Sequence, residues 1–253
     1  MGKGKLKKFA DMASYPNVIE HPYSVIDNVE FPLRGNWKRD FFKNDKPIVV
    51  ELGCGKGDFV RQLSVKENGY NYLAIEKISD VAIVAAEKYA ISRGLGDKAP
   101  NGGWIKPDGS ETPYGEGKVD FSLAERGNVR FLVGDAKQLL ESMSDASVES
   151  LYINFCDPWG KKGYAKRRLT HIDFLNMDSR ILIPGGKLCF KTDNRDLFDF
   201  SVEQIGESAF IIEDITYDLH ASEFNAENLR TEYEENFSAK GFKINYLKAV
   251  NKK

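Results

Sequence analysis

Ile48-Val49-Val50-Glu51-Leu52-Gly53-Cys54-Gly55-Lys56-Gly57-Asp58-Phe59-Val60-Arg61-Gln62-Leu63 reads as a strand, a glycine turn and the start of a helix. The β-branched run suits a strand buried on both faces of a parallel sheet. Gly53, Gly55 and Gly57 let the backbone bend sharply and bring bare N–H groups close to a ligand. Phe59, Val60 and Leu63 have helical spacing. The glycines follow GxGxG, not the GxGxxG of dinucleotide folds, so the turn marks a ligand loop without naming its ligand.

Downstream, strands and helices alternate. The sequence predicts strands over 47–52, 71–76, 128–135, 150–155, 187–192, 210–217 and 242–250. Between them it predicts helices from Ser79, read as a cap, to Arg93, and over 136–142, 169–183, 196–204 and 231–239. The third of these would stop before a turn at Pro184-Gly185-Gly186. That order implies an α/β fold with a doubly wound, mostly parallel, seven-stranded sheet. Residues 1–44 mix lysine, proline and aromatic residues without a period and read as a basic, aromatic amino-terminal extension. The main domain is expected over 45–253. Residues 94–127 read as a loop-rich insertion with a hairpin at Pro107-Asp108-Gly109.

Three predicted strands end in acids. Glu76 lies where a carboxylate grips two ribose hydroxyls, and Asp135 where one meets an adenine edge. Glu51 precedes the glycine turn, and Asp157 follows the fourth strand. Carboxylates repel a pyrophosphate and tolerate a sulfonium. The acidic rim therefore favours S-adenosylmethionine over a dinucleotide.

The formal net charge is −2. Any polyanion must therefore be held by a local basic patch. Such a patch follows Leu151-Tyr152-Ile153-Asn154-Phe155-Cys156-Asp157-Pro158-Trp159, in the run Gly160-Lys161-Lys162-Gly163-Tyr164-Ala165-Lys166-Arg167-Arg168. It sets a carboxylate and a flat ring beside five cations, which suits a base attached to a polyanion. Cys54, Cys156 and Cys189 are odd in number and lack CxxC spacing. They read as buried thiols in a reducing cytoplasm, with neither a disulfide framework nor a zinc site. His21, His171 and His220 lack ligand spacing, so no metal is expected, and His171 reads as a helix-start or packing residue. No apolar run approaches membrane-spanning length, and no signal core follows the basic start.

The chain resembles the bacterial single-subunit tRNA (guanine-N7-)-methyltransferases, within the class I, Rossmann-like methyltransferases. The resemblance rests on Glu51-Leu52-Gly53-Cys54-Gly55-Lys56-Gly57, Ile75-Glu76, Gly134-Asp135-Ala136, Asn154 through Trp159, Lys166-Arg167-Arg168-Leu169-Thr170-His171, Lys191-Thr192-Asp193-Asn194 and Thr231-Glu232-Tyr233-Glu234. It implies that Glu51, Glu76, Asp135 and Asp157, with Gly53, Gly55 and Gly57, line the S-adenosylmethionine site, and that Asp157 is the catalytic aspartate. It implies that Lys161, Asp193 and Thr231, Glu232, Tyr233 and Glu234 contact a guanosine of the tRNA variable loop. Gly163, Tyr164, Ala165, Lys166, Arg167 and Arg168 would contact the RNA. A monomer or homodimer is expected. The chain departs from the family at Cys156 or Gly160, where proline is usual, and at Gly163-Tyr164, where Arg-His is usual. The other readings are a class I methyltransferase of another substrate, a dinucleotide oxidoreductase, and an inactive RNA-binding relative.

Overall fold

A computed structural model describes residues 15, 17–20, 31, 33–94, 97–98, 104–105 and 127–253. Its strands are β1 Val18–Glu20, β2 Ile48–Leu52, β3 Asn71–Glu76, β4 Val129–Val133, β5 Val148–Asn154, β6 Leu182–Thr192, β7 Phe210–Thr216 and β8 Asn245–Asn251. Its α-helices are α1 Asp58–Lys66, α2 Ser79–Ser92, α3 Ala136–Ser142, α4 Ile172–Ile181, α5 Arg195–Gly206 and α6 Glu232–Ser238. The α/β class and the mostly parallel pairing read from the sequence are both present. The chain divides into two compact units.

The first unit gathers the described residues of Met1–Val29 and Cys54–Asp135. In it β4 lies between β1 and β3, parallel to both. Every residue of β4 is buried, as in a strand covered on both faces. Tyr89 of α2 meets Phe131 of β4 edge to face at 6.0 Å. Strand β1 is a correction, since the sequence predicts a sheet of seven strands and the main sheet has eight among the described residues. It comes from the segment read as an extension, and three residues are too few to show a period. A second correction concerns Ser79. It is the first helical residue, and the cap position belongs to Ile78, whose N–H donates to Glu76. A two-residue antiparallel pair, Asp97–Lys98 with Trp104–Ile105, starts the region read as an insertion. The hairpin expected at Pro107-Asp108-Gly109 and the lysines of residues 1–8 lie outside the described residues.

The second unit comprises Glu30–Gly53 and Ala136–Lys253. Its strand order is β2-β5-β6-β8-β7, parallel from β2 to β6 and antiparallel beyond. Here the sequence reading needs a third correction. Pro184-Gly185-Gly186 is not a turn between helix and strand but a bulge within β6, which pairs with β5 at Leu182 and again from Lys187. Gly185 has φ +74°, and a Cβ on Gly186 would sit 2.9 Å from the Ile183 carbonyl oxygen, so the bulge needs both glycines. Residues Trp37–Phe42 form one wide π-helical turn with Trp37, Phe41 and Phe42 buried. No helix among the described residues is long and apolar enough to cross a membrane.

Candidate active site

In the first unit the glycine turn and Glu76 are bound together. The Gly55 N–H donates to Glu76 Oε2 at 3.1 Å and the Ile78 N–H to Oε1 at 2.8 Å. The Cys54 N–H donates to the Ile75 carbonyl at 2.8 Å. Both oxygens of Glu76 are thus fixed at the end of β3, each with a second lone pair left to accept a hydroxyl. Gly55 has φ +54°, and a Cβ there would meet nothing within 4 Å, so its backbone borders open space. Gly57 has φ +73° and begins α1. A Cβ on it would lie 2.8 Å from that of Ala85, so only glycine lets α1 pack on α2. Asp135, two residues past β4, is half-buried and meets Lys77 at 3.1 Å.

In the second unit Gly53 leaves β2 with φ +75°. Glu51 is buried and accepts from the Asn154 amide at 3.0 Å, which ties β2 to β5. The chain then leaves β5 through Phe155, at φ +54°, and reaches Trp159 at φ +42°. Two bulky residues in the left-handed region within one short loop hold real strain, of order 1–3 kcal/mol each. Asp157 stands between them and is exposed. The Phe155 N–H donates to the Lys191 carbonyl at 2.9 Å, so the loop is moored to β6. Burial pushes the neighbouring Cys156 thiol up to about 12, and Asp157 adds to the rise. Cys54, Cys156 and Cys189 are all free, the second only half-buried.

Asp157, Asp193 and Tyr233 come together. The Tyr233 hydroxyl donates to Asp193 Oδ1 at 3.4 Å. It is pushed up to about 12, first by burial and then by the carboxylates of Asp193 and Asp157. Its ring packs at 4.9 Å on Phe155 and at 4.2 Å on Phe237. Asn194 caps α5 directly after Asp193, and Thr231 caps α6 by accepting from the Glu234 N–H at 3.1 Å. Glu232 is exposed on α6.

Glu234 points the other way. It is 0% exposed and is gripped by Lys191 at 2.8 Å, His220 at 2.7 Å and the Asn228 amide at 2.6 Å. Thr231-x-x-Glu234 therefore supplies one half of a capping box while the glutamate carboxylate turns inward. Lys191, itself 5% exposed, also donates to Asn228 Oδ1 and to the Leu229 carbonyl, both at 3.0 Å. Burial pushes the Glu234 carboxyl up, and Lys191, Asn228 and His220 more than reverse that, so it lies below the usual range. Burial pulls the Lys191 ammonium down, and Glu234 and Glu51 oppose the fall without cancelling it. Sequence reading assigned no role to Lys191, Asn228 or His220. A lysine inside the apolar run Leu188-Cys189-Phe190-Lys191 was a usable signal, because a buried ammonium demands a carboxylate. Asn228 and His220 lie in irregular chain that carries no such signal.

The basic run forms a 3₁₀ turn over Lys162–Arg167. Lys161, Lys162 and Lys166 are exposed and make no ion pair among the described residues. Gly163 and Tyr164 are exposed and Ala165 is half-buried. Arg167 lies over the rings of Trp159 and Tyr164, at 4.9 and 4.7 Å. Arg168 turns back onto the loop. His171 caps α4 through Nδ1, accepting from the Asp173 N–H at 3.2 Å, as read from the sequence. No cluster of three metal-ligating side chains occurs among the described residues.

A family model described as a putative methyltransferase matches residues 45–247. The chain is 37% identical to a tRNA (guanine-N(7)-)-methyltransferase of Lachnoclostridium phytofermentans, over 93% of this chain and 94% of that protein. It is 35% identical to a protein of the same name from Brevibacillus brevis, over 95% and 93%. Among solved structures it resembles the 16S rRNA methyltransferase KamB, with a TM-score of 0.54 at 10% identity, covering 89% of this chain and 96% of that one. An antibiotic-related methyltransferase gives a TM-score of 0.52 at 16% identity, with the same coverage. At such identities these two structures speak for the fold alone.

Proposed function

The chain belongs to the tRNA (guanine-N(7)-)-methyltransferase family and methylates N7 of guanine in tRNA with S-adenosylmethionine as donor; we propose that the guanosine lies in the variable loop and that Asp157 is the catalytic carboxylate. The observation that carries the assignment is Asp157 itself. It is an exposed acid held between two left-handed residues at the end of a parallel strand, with Asp193 and Tyr233 beside it. Strain of this kind persists where the surroundings enforce it, and it clusters at active sites.

The donor supplies a methyl group on a positively charged sulfonium. The residues present suit it. Glu76, fixed by two backbone N–H groups, keeps lone pairs for ribose hydroxyls, and Asp135 stands at the next strand end. Glu51, Gly53, Gly55, Gly57 and Asp157 would complete the donor set.

Guanine N7 is a lone pair in the ring plane, so no proton leaves it before it attacks. A strong general base is unnecessary, and orientation with electrostatic support does the work. The Asp157 carboxylate accepts from the guanine N1–H and exocyclic amine, a pattern that adenine lacks. Asp193, oriented by the Tyr233 hydroxyl, shares that task. Lys161, Thr231, Glu232 and Tyr233 border the base. Glu234 supports them from within, holding α6 to β6 through Lys191. Lys161, Lys162, Lys166 and Arg167 meet phosphates, with Gly163, Tyr164 and Ala165 carrying the turn between them. Residues 45–253 act as the methyltransferase domain and 1–44 as its extension. The enzyme works in the cytoplasm as a monomer or homodimer without a metal.

A chain-scission experiment tests the position. Borohydride and aniline cut RNA at 7-methylguanosine. Unmodified tRNA treated with enzyme and donor is expected to break once, within the variable loop. A single cut elsewhere would overturn that placement.

A further inference from the structure

Arg168 ends the basic run, and by sequence it belongs with the RNA-binding cations. Its geometry says otherwise. Nε donates to the Pro158 carbonyl at 2.9 Å and Nη2 to the Trp159 carbonyl at 3.3 Å. The guanidinium lies 4.3 Å from the centre of the Phe200 ring, on α5. The loop backbone at residues 158–159 is therefore clasped from one side by Arg168. Trp159 is one of the two residues held at positive φ, and the carbonyls Arg168 grips directly follow Asp157. A planar fork with fixed donors suits two adjacent carbonyls, and a point charge does not. Lys166 and Arg167, by contrast, are exposed, and neither touches the loop carbonyls.

We propose that Arg168 is a positioning residue for methyl transfer, holding the strained Pro158–Trp159 backbone so that Asp157 keeps its working orientation, and that it is not a phosphate contact. The proposal rests on the assignment of Asp157 above. With the clasp gone, the loop relaxes toward ordinary φ values and the carboxylate moves, while the cationic surface that meets RNA stays as it was.

The test compares Arg168→Ala, Arg168→Lys and Lys166→Ala in the full chain. Steady-state kinetics are measured against tRNA, and tRNA binding is measured across salt. Arg168→Ala is expected to lower kcat by about tenfold to a hundredfold, the scale of a misplaced catalytic group. Its tRNA KM and salt slope should match those of the parent. Lysine restores a phosphate contact but not a two-carbonyl clasp, so Arg168→Lys should stay impaired in kcat. Added methylguanidinium should partly rescue Arg168→Ala. Lys166→Ala should instead weaken binding and reduce the salt slope by about one phosphate's worth, 0.7–0.9. An Arg168→Ala enzyme with unchanged kcat and a reduced salt slope, or full recovery in Arg168→Lys, would overturn the proposal. Should Arg168→Ala fold poorly, Phe200→Leu takes its place, since it loosens the same guanidinium without touching charge. It too should lower kcat at a constant salt slope, and an unchanged kcat there counts against the clasp. Asp157→Ala, assayed in parallel, separates the two ideas. Near-normal turnover in that variant removes the assignment of Asp157, whereas the Arg168 outcomes above bear on the clasp alone.

Discussion

Asp157→Ala is expected to lower kcat for tRNA methylation by about a hundredfold to a thousandfold, the cost of removing one well-placed electrostatic group. The side chain is exposed and lies beyond the end of β5, so no core contact is lost and the thermal midpoint should not move. Asp157→Asn should be nearly as damaging. The guanine edge presents two donors, N1–H and the amine, and an amide offers them one acceptor and one opposed N–H. Single-turnover rates with saturating tRNA are the cleanest readout, because they exclude product release. Turnover within a fewfold of the parent in both variants would mean that another group meets the base.

The second large effect concerns stability. Lys191→Met leaves Glu234 buried with its cation removed, and breaking such a pair from one side costs about 3–5 kcal/mol. At about 2–4 °C per kcal/mol for a chain of this size, the melting temperature should fall by about 6–20 °C. Glu234 is not left bare, since His220 and Asn228 still reach it, which favours the lower half of that range. Combining Lys191→Met with Glu234→Gln removes both charges and should recover part of the loss. The pH dependence follows from the carboxyl. Its folded pKa lies below its unfolded one, so the stabilisation is complete above the unfolded carboxylate range and is lost as pH falls through the folded value. The gap between parent and Lys191→Met should therefore narrow in acid. A loss under about 1 kcal/mol would put the pair with ordinary surface bridges.

How much was legible depends on what each residue shows locally. The strand–turn–helix at 48–63 carries its own signals, since β-branched residues, glycines and helical spacing all lie within one short window. The strand-end acids are legible for the same reason, because an acid after an apolar run is visible without knowing its partner. Strand β1 had no such window. Its three residues pair with β4, more than a hundred positions away, and only that pairing defines them. The bulge at Pro184-Gly185-Gly186 misled because its residues are those of a turn, and nothing local says that pairing resumes on the same strand. Glu234 shows the limit most clearly. As the last residue of Thr231-Glu232-Tyr233-Glu234 it invited a substrate role, yet its direction is set by Lys191 and His220, from two other parts of the chain. Arg168 has contacts that were hidden for a related reason. A run of cations looks uniform in sequence, and only the structure shows that its last member donates to loop carbonyls.

The central claim is that this chain alkylates a purine ring nitrogen, and one measurement reaches it directly. Unmodified tRNA is incubated with the enzyme and isotopically labelled S-adenosylmethionine, digested to nucleosides and resolved by mass. The account predicts that the label appears as 7-methylguanosine, at one methyl per tRNA, and that tRNA made with 7-deazaguanosine takes up none. Label on adenosine, on a ribose or on an exocyclic amine, or undiminished uptake by the 7-deaza substrate, would contradict it.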